Sequence, residues 1–475
     1  MSELNFLPAV SMAEQIRHKK ISPVELLEAH LSQIERLNPQ LNAYVQVDAQ
    51  RAHDAALAAE RAVTQRKALG RLHGVPISIK SSIAVAGLRC ESGTRLRAGL
   101  VAQQDAPLVA RLKNAGAIIL GVTNAPELLM AWETDNLLYG RTNSPWDLDR
   151  TPGGSSGGEA AAISAGMSAG GVGSDGGGSI RMPAHFTGIC GLKPTPGRIP
   201  ATGHFPGSAG PFALIGVVGP MARTVADLQL LFELMQGPDV GDTCAAPVPL
   251  RRPHEAEVKQ LKIGYFEDDG RTPVTPETRA GVRNAAEALH RAGFQVEAFR
   301  PDGLEEARQL WHKFFVVAGG MMLRPLFKET SQQTDPDLSP ILRQFLEWSA
   351  SDPAHTARSL LDAWIQRDLL RARFLAQMQE YPILLCPAAA IPAFRHGERI
   401  WQVEGERVQY LDAWSYTEFF NLLGNPAAVV PVAHSQEGLP IGVQIVGRPW
   451  EEEQLLAVAT TLEKECGAWK VPPLV

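Results

Sequence analysis

Between Pro152 and Gly178 this 475-residue chain is built almost wholly of glycine, serine and alanine, yet the stretch lies mid-chain between apolar elements. A flexible linker is one reading of such a run. Against it, Glu159 to Ala165 supplies good helix formers, the alternation through Met167, Ala169 and Val172 suits a strand, and Arg181-Met182-Pro183 closes the run sharply. Glycines inside an ordered core make tight turns and bring backbone amides close to another group. Ser155 and Ser179 sit in these glycine-rich turns, and Lys80 ends the alternating strand Val75-Pro76-Ile77-Ser78-Ile79-Lys80 just before Ser81-Ser82. A serine nucleophile needs a positioned base and donors for the developing charge, which hydroxyls, an amine and bare amides could supply. A lone lysine at a strand end is usually solvated.

Three generic motifs overlap the run. Gly153-Gly154-Ser155-Ser156-Gly157 fits G-x-S-x-G, but Trp146 to Pro152 is polar and proline-bounded, unlike the strand such an elbow requires. Gly171-Val172-Gly173-Ser174-Asp175-Gly176 fits G-x-G-x-x-G, but no helix is expected through Gly177, Gly178 and Pro183, which argues against a dinucleotide site. G-x-x-x-x-G-K-[ST], H-E-x-x-H and close histidine pairs are missing from the sequence, so it offers neither a phosphate cradle nor a metal site.

The elements that must position these residues read as α/β. Ser22, Pro23 and Glu25 open a helix with a cap, a first-turn proline and a capping box, and Leu27, Leu31 and Ile34 form its buried stripe. Helical segments ending at Gly116 and Gly293 precede the short apolar runs Ala117-Ile118-Ile119-Leu120 and Phe294-Gln295-Val296. This alternation predicts a layered α/β fold. Residues 237–260 read as a surface connection, because strand signals resume at Leu261 to Phe266. The segment from Asp302 to Glu380 is helical in pattern and rich in aromatic residues, including Trp311, Phe314, Phe315, Phe327, Phe345 and Trp348. It reads either as a layer packed on the sheet or as a substrate-pocket wall.

Composition excludes other classes. Lys plus Arg number 45 against 51 Asp plus Glu, a net charge of −6 that offers no basic surface to nucleic acid or an anionic membrane. Five scattered cysteines without a CxxC pair suggest neither a disulfide framework nor a zinc site. A reducing, cytoplasmic setting is the expectation. Glu3 and Glu14 break up any secretory h-region, and no apolar run is long enough to span a membrane.

Three separated blocks resemble the amidase signature family: Gly74-Val75-Pro76-Ile77-Ser78-Ile79-Lys80, Gly153-Gly154-Ser155-Ser156-Gly157-Gly158, and Gly173-Ser174-Asp175-Gly176-Gly177-Gly178-Ser179-Ile180-Arg181-Met182-Pro183. Gly188 to Thr195, Asn421 with Gly424-Asn425-Pro426-Ala427, and Pro440 to Gln444 with Gly447 extend the likeness over nearly the whole chain. The resemblance implies a single domain over residues 1–475, with a large mixed central β-sheet covered by helices on both faces. Its substrate pocket would draw on the mostly helical variable region at about 300–415. Ser179 would be the acyl-accepting nucleophile, Ser155 a bridging serine on a cis peptide, and Lys80 the base. No cofactor or metal is implied.

The implied chemistry is physically coherent. A lysine base must be neutral, and lowering its pKa by about three units from the reference value costs roughly 4 kcal/mol. Burial of a strand-end lysine against a Gly/Ser wall could achieve this. Ser155 could relay a proton between Lys80 and Ser179. The amides of Gly176, Gly177, Gly178 and Ser179 would converge on the oxyanion of a tetrahedral intermediate, while Asp175 and Arg181 would form a buried ion pair bracing the turn. One departure concerns position 81, where many members of the family carry an acidic residue and this chain has Ser81. The expected activity is hydrolysis of a linear carboxylic amide, aryl or acyl and extending to esters or carbamates, on a small-molecule substrate by a monomer or homo-oligomer. The alternatives are a glutamine-hydrolysing subunit of a tRNA amidotransferase and a non-catalytic binding module on the same fold. Trp311, Phe314, Phe315, Trp414, Tyr416, Phe419 and Phe420 favour an apolar acyl pocket over a glutamine site.

Overall fold

The computed structural model describes residues 3–207, 209–328, 337–350, 356–467 and 469–475. Eleven strands form one sheet: β1 (Tyr44–Val47), β2 (Pro76–Lys80), β3 (Ile118–Thr123), β4 (Gly170–Asp175), β5 (Cys190–Lys193), β6 (Val217–Ala222), β7 (Lys262–Tyr265), β8 (Gln295–Ala298), β9 (Ile383–Pro387), β12 (Ala427–His434) and β13 (Pro440–Val446). Two further strands, β10 (Ile400–Val403) and β11 (Glu406–Gln409), pair as a separate hairpin. The order in the sheet is β1-β3-β2-β4-β6-β5-β12-β13-β9-β7-β8. β2 runs parallel to both β3 and β4, and β7 parallel to β8 and β9, while the centre of the sheet is antiparallel. The sheet is therefore mixed.

Side-chain alternation along the strands sends residues into different cores. On β12, Ala428 and Val430 join Leu455, Leu456 and Ala285 from helices Glu452–Cys466 and Pro276–Arg291. Val429 instead meets Ala160, Ile163 and Ala184 from helices Gly157–Ser164 and Arg181–Thr187. Helices thus cover both faces. The same alternation on β2 buries Ile77 and Ile79 in the first core and turns Ser78 and Lys80 to the opposite side, toward the Gly/Ser run.

That run is ordered. All eight residues of helix Gly157–Ser164 are buried, and small side chains are what its close approach to neighbouring backbone allows. A Cβ on Gly158 would lie 2.5 Å from the Asn124 nitrogen and from the Asn124 oxygen. Two local expectations need correction. A helix, Arg181–Thr187, does follow Gly177 and Gly178, because Pro183 falls in its first turn, where a missing N–H breaks no helical bond. Ser22 caps its helix by accepting from the Val24 and Glu25 amides, but its hydroxyl donates to Glu60, and the reciprocal bond from Glu25 that a capping box requires is not formed among the described residues.

The region at 300–415 is helical up to Gln377, through Leu304–Trp311, a π-helical turn His312–Ala318, Gly319–Lys328, Pro340–Ala350 and Ala357–Gln377. Residues 329–336 and 351–355 of it lie outside the described residues. The region then re-enters the main sheet as β9. Trp311, Phe314, Phe345, Trp414, Tyr416, Phe419 and Phe420 are buried in one large aromatic core.

Candidate active site

β2 and β4 run parallel, so their carboxyl ends, Lys80 and Asp175, emerge at the same edge of the sheet. Lys80 is fully buried, and its Nζ contacts only hydroxyls: Ser155 Oγ at 2.6 Å, Ser156 Oγ at 3.0 Å and Ser174 Oγ at 3.0 Å. Among the described residues it has no carboxylate within ion-pair distance. Burial drives its pKa well below the ordinary lysine value, and the charges of Asp175 and Glu159 only partly oppose this. Ser156 and Ser174, to which the sequence pattern assigned no role, thus complete the amine's shell. The Ser156 hydroxyl also bridges to the Ser174 backbone.

Glu159 is likewise a residue that the sequence pattern did not single out for the site. It sits in the first turn of helix Gly157–Ser164 and accepts from Ser78 Oγ at 2.5 Å and Thr123 Oγ1 at 2.7 Å. Burial raises its carboxyl to about 7 against those two bonds and the attraction of Lys80. With Ser81 following the lysine, the acidic charges that act on Lys80 are those of Asp175 and Glu159, which come from other elements.

The Gly154–Ser155 peptide is cis. Ser155 and Ser179 line one cavity with an empty volume of about 520 Å³, and Ser179 Oγ has no hydrogen-bond partner among the described residues. Asp175 and Arg181 form a wholly buried ion pair, with Oδ1 to Nη2 at 2.9 Å and Oδ2 to Nε at 3.0 Å. Burial by itself would raise the Asp175 pKa, but the Arg181 charge and hydrogen bonds hold it below the usual carboxylate range. Asn421 fastens the same turn, donating to Asp175 Oδ1 at 3.0 Å and to the Ile215 carbonyl at 2.9 Å.

The amides of Gly176, Gly177, Gly178 and Ser179 are not equivalent. Gly178, at φ +110°, donates its N–H to Asp175 Oδ1 at 2.8 Å, so this amide is engaged with the ion pair. The carbonyls of the turn are pinned from outside. Trp311 Nε1 donates to Gly176 O at 3.0 Å, while Trp132 Nε1 and Thr417 Oγ1 donate to Gly177 O at 2.7 and 3.0 Å. In a trans peptide the N–H opposes the C=O, so anchoring Gly176 O also sets the direction of the Gly177 N–H.

Apart from His204, the rest of the described cavity wall is apolar: Leu129, Met130, Phe212, Val217 and Val218 line it with Phe315. Among the described residues the variable region contributes only Phe315 to this wall. Of the other aromatic residues named from sequence, Trp311, Phe314, Phe345, Trp414, Tyr416, Phe419 and Phe420 are core and Phe327 and Trp348 pack partly buried against it, while Leu129, Met130, Phe212, Val217 and Val218 take the positions beside Ser179.

The Amidase family model matches residues 25–456. The chain belongs to the amidase family. It is 36% identical over 474 residues to an indoleacetamide hydrolase of Bradyrhizobium diazoefficiens, covering 97% of this chain and 86% of that protein. It is 32% identical to one of the subunits of the glutamyl-tRNA(Gln) amidotransferase of Moorella thermoacetica, covering 97% of each. A solved bacterial aryl acylamidase of the amidase signature family superposes with a TM-score of 0.86 at 27% identity, over 98% of this chain and 97% of that one. This amidase is an amide-hydrolysing enzyme on a mixed-sheet α/β fold. Among its described residues no helix is long and apolar enough to cross a membrane.

Proposed function

We propose that this amidase cleaves linear aryl or acyl amides through an acyl-enzyme on Ser179, with Lys80 as the neutral base and Ser155 between them. The observation that carries the reading is the buried Lys80 amine. It is bonded only to hydroxyls and lies 2.6 Å from Ser155 Oγ in the wall of the cavity that Ser179 shares. A neutral amine has one lone pair, and the Ser155 O–H can donate to it. The Ser179 proton passes to Ser155 Oγ as the Ser155 proton passes to Lys80 Nζ, and Ser179 Oγ bonds to the carbonyl carbon. The carbonyl electron pair moves to oxygen, where the amides of Gly176, Gly177 and Ser179 stabilise it. The protons return by the same route to the leaving nitrogen, the C–N bond breaks, and water then repeats the sequence on the ester.

Glutamine hydrolysis, as in the tRNA amidotransferases, is the weaker reading. Beyond Asp175, already paired with Arg181, no charged side chain is among the described residues of the cavity, so the α-ammonium and α-carboxylate of glutamine find no charged partner among them. The test is turnover of an equimolar pool of glutamine, short aliphatic amides, aryl anilides, long-chain acyl amides and an aryl carbamate by wild type and Ser179→Ala. Ser179-dependent loss of the aryl or acyl members is expected, with a fall of about 10³-fold or more in kcat for Ser179→Ala and Lys80→Ala. Turnover of glutamine alone, or no Ser179-dependent turnover, would overturn the reading.

A further inference from the structure

In the proposed mechanism Lys80 takes up a proton, so a buried ammonium ion forms whose contacts are the hydroxyls of Ser155, Ser156 and Ser174. Desolvation opposes such a cation, and a nearby negative charge favours it. Two carboxylates act on the amine, Asp175 and Glu159. Asp175 is already matched by Arg181 in direct contact, with the Lys193 charge acting on it as well. Glu159 is held by hydroxyls, Ser78 Oγ at 2.5 Å and Thr123 Oγ1 at 2.7 Å, and has no ion-pair partner among the described residues. Ser78 shares the Lys80 face of β2, and Thr123 is the β3 residue paired with Lys80, so both clamps belong to the strand pair that carries the amine. β4 leaves room for the carboxylate, since a Cβ on Gly171, which pairs with Ser78, would lie 1.8 Å from Glu159 Oε1. The other titratable groups that act on the two residues stay neutral near pH 7: burial, followed by the Lys80 charge, lowers His204 to about 4, and burial raises the Tyr44 phenol well above its ordinary value.

We propose that Glu159 is a positioning residue whose carboxylate acts through Lys80, supplying the counter-charge for the ammonium ion that forms as Ser179 attacks. The inference rests on the reading that Lys80 is the base for Ser179. Placement decides the effect. A carboxylate in contact with Nζ would hold a proton on the amine and compete with Ser155 for it, whereas one held by Ser78 and Thr123 leaves the lone pair to Ser155 and still favours the cation once it forms. Removing that charge makes the amine harder to protonate and so a weaker base. Glu159 is not among the residues lining the Ser179 cavity, so the change leaves the substrate wall as it was.

The experiment measures the pH dependence of kcat/KM and kcat for indole-3-acetamide and para-nitroacetanilide, neither of which titrates across the range, in wild type and Glu159→Gln. The glutamine amide accepts from one of the two hydroxyls and donates to the other, so the clamp survives the exchange. The midpoint of the acid limb of kcat/KM is expected to move to lower pH by about one unit. At about pH 9, where the Glu159 carboxyl, raised to about 7 by burial, is ionised in wild type, kcat is expected to fall by up to about tenfold with KM within about twofold. Glu159→Met, neutral and unbranched, serves if the glutamine variant does not fold. A purely structural role would lower Tm and the rates and leave the midpoint where it was. An unchanged midpoint, or one displaced to higher pH, would overturn the proposal while leaving the Ser179 mechanism standing. Absence of Ser179-dependent turnover of both amides would overturn that mechanism and this inference with it.

Discussion

Replacing Asp175 by alanine tests the ion pair beneath the proposed oxyanion turn. Asp175 accepts from the Gly178 and Ile180 amides at 2.8 and 3.0 Å, from Arg181 Nε and Nη2, and from Asn421 Nδ2. Without it, the buried Arg181 guanidinium keeps only the neutral oxygens of Gln444 and Asn421. Leaving one partner of a buried pair uncompensated costs about 3–5 kcal/mol, a large part of a typical total stability of about 5–15 kcal/mol. At about 2.1 cal/mol/K per residue, unfolding a chain of this length carries an entropy near 1 kcal/mol/K, so Tm should fall by about 3–5 °C. The freed Gly178 turn should also cost activity, on the order of 10²-fold in kcat, as misplaced catalytic groups do. Asp175→Leu combined with Arg181→Met separates the two effects. Apolar replacement of both partners restores Tm, whereas kcat stays low because the turn has lost its anchor. The charge pair also has a pH signature. Its folded carboxyl is held below the ordinary 3.8, so its contribution is complete above that value and is lost as pH falls through the depressed folded one. The Tm gap between wild type and Asp175→Ala should therefore narrow in acid. An Asp175→Ala enzyme with wild-type Tm and wild-type kcat would refute the reasoning.

Two further perturbations probe the lysine and its surroundings. Because burial lowers the Lys80 pKa and the proposed mechanism needs the neutral amine, kcat/KM should fall on the acid side through a midpoint well below 10.5, and an acid limb centred near 10.5 would exclude a depressed lysine base. The same depression disfavours folding at every pH below the unfolded value, with the penalty growing until the folded pKa is passed. Gly158→Ala places a Cβ 2.5 Å from the Asn124 backbone, which cannot yield as a flexible side chain would, so a loss of more than about 1–3 kcal/mol is expected, read as a lowered Tm. A melting temperature within about 1 °C of wild type would show that this packing is looser than described.

Much of the site was legible because it rests on short-range pattern. Strict alternation in Pro76–Lys80 dictates that Lys80 shares a face with Ser78, opposite Ile77 and Ile79, and the glycine-rich blocks around Ser155 and Ser179 are contiguous in sequence. The pairing of Asp175 with Arg181 follows from a separation of six residues around one turn. Other features depend on where peptide planes and distant segments end up. The Gly178 amide could not be separated from its neighbours by residue type, because its direction is set by a φ of +110° and by Asp175. Pro183 reads as a helix breaker until its place in a first turn is known.

Residue type, order and period therefore determined the α/β class, the family, the strand face of Lys80 and the three residues proposed for catalysis. Tertiary structure alone decided the environment in which they sit. Glu159 reaches the Lys80 neighbourhood from 79 positions away, Trp311 and Thr417 pin the glycine turn from 135 and 240 positions away, and among the described residues the apolar cavity wall draws on Leu129, Met130, Phe212, Val217 and Val218 more than on the variable helices. The physical reason is that desolvation, charge and hydrogen bonding depend on distance in space, and the antiparallel crossings of the sheet and the aromatic core bring together groups whose separation along the chain carries no trace of the contact.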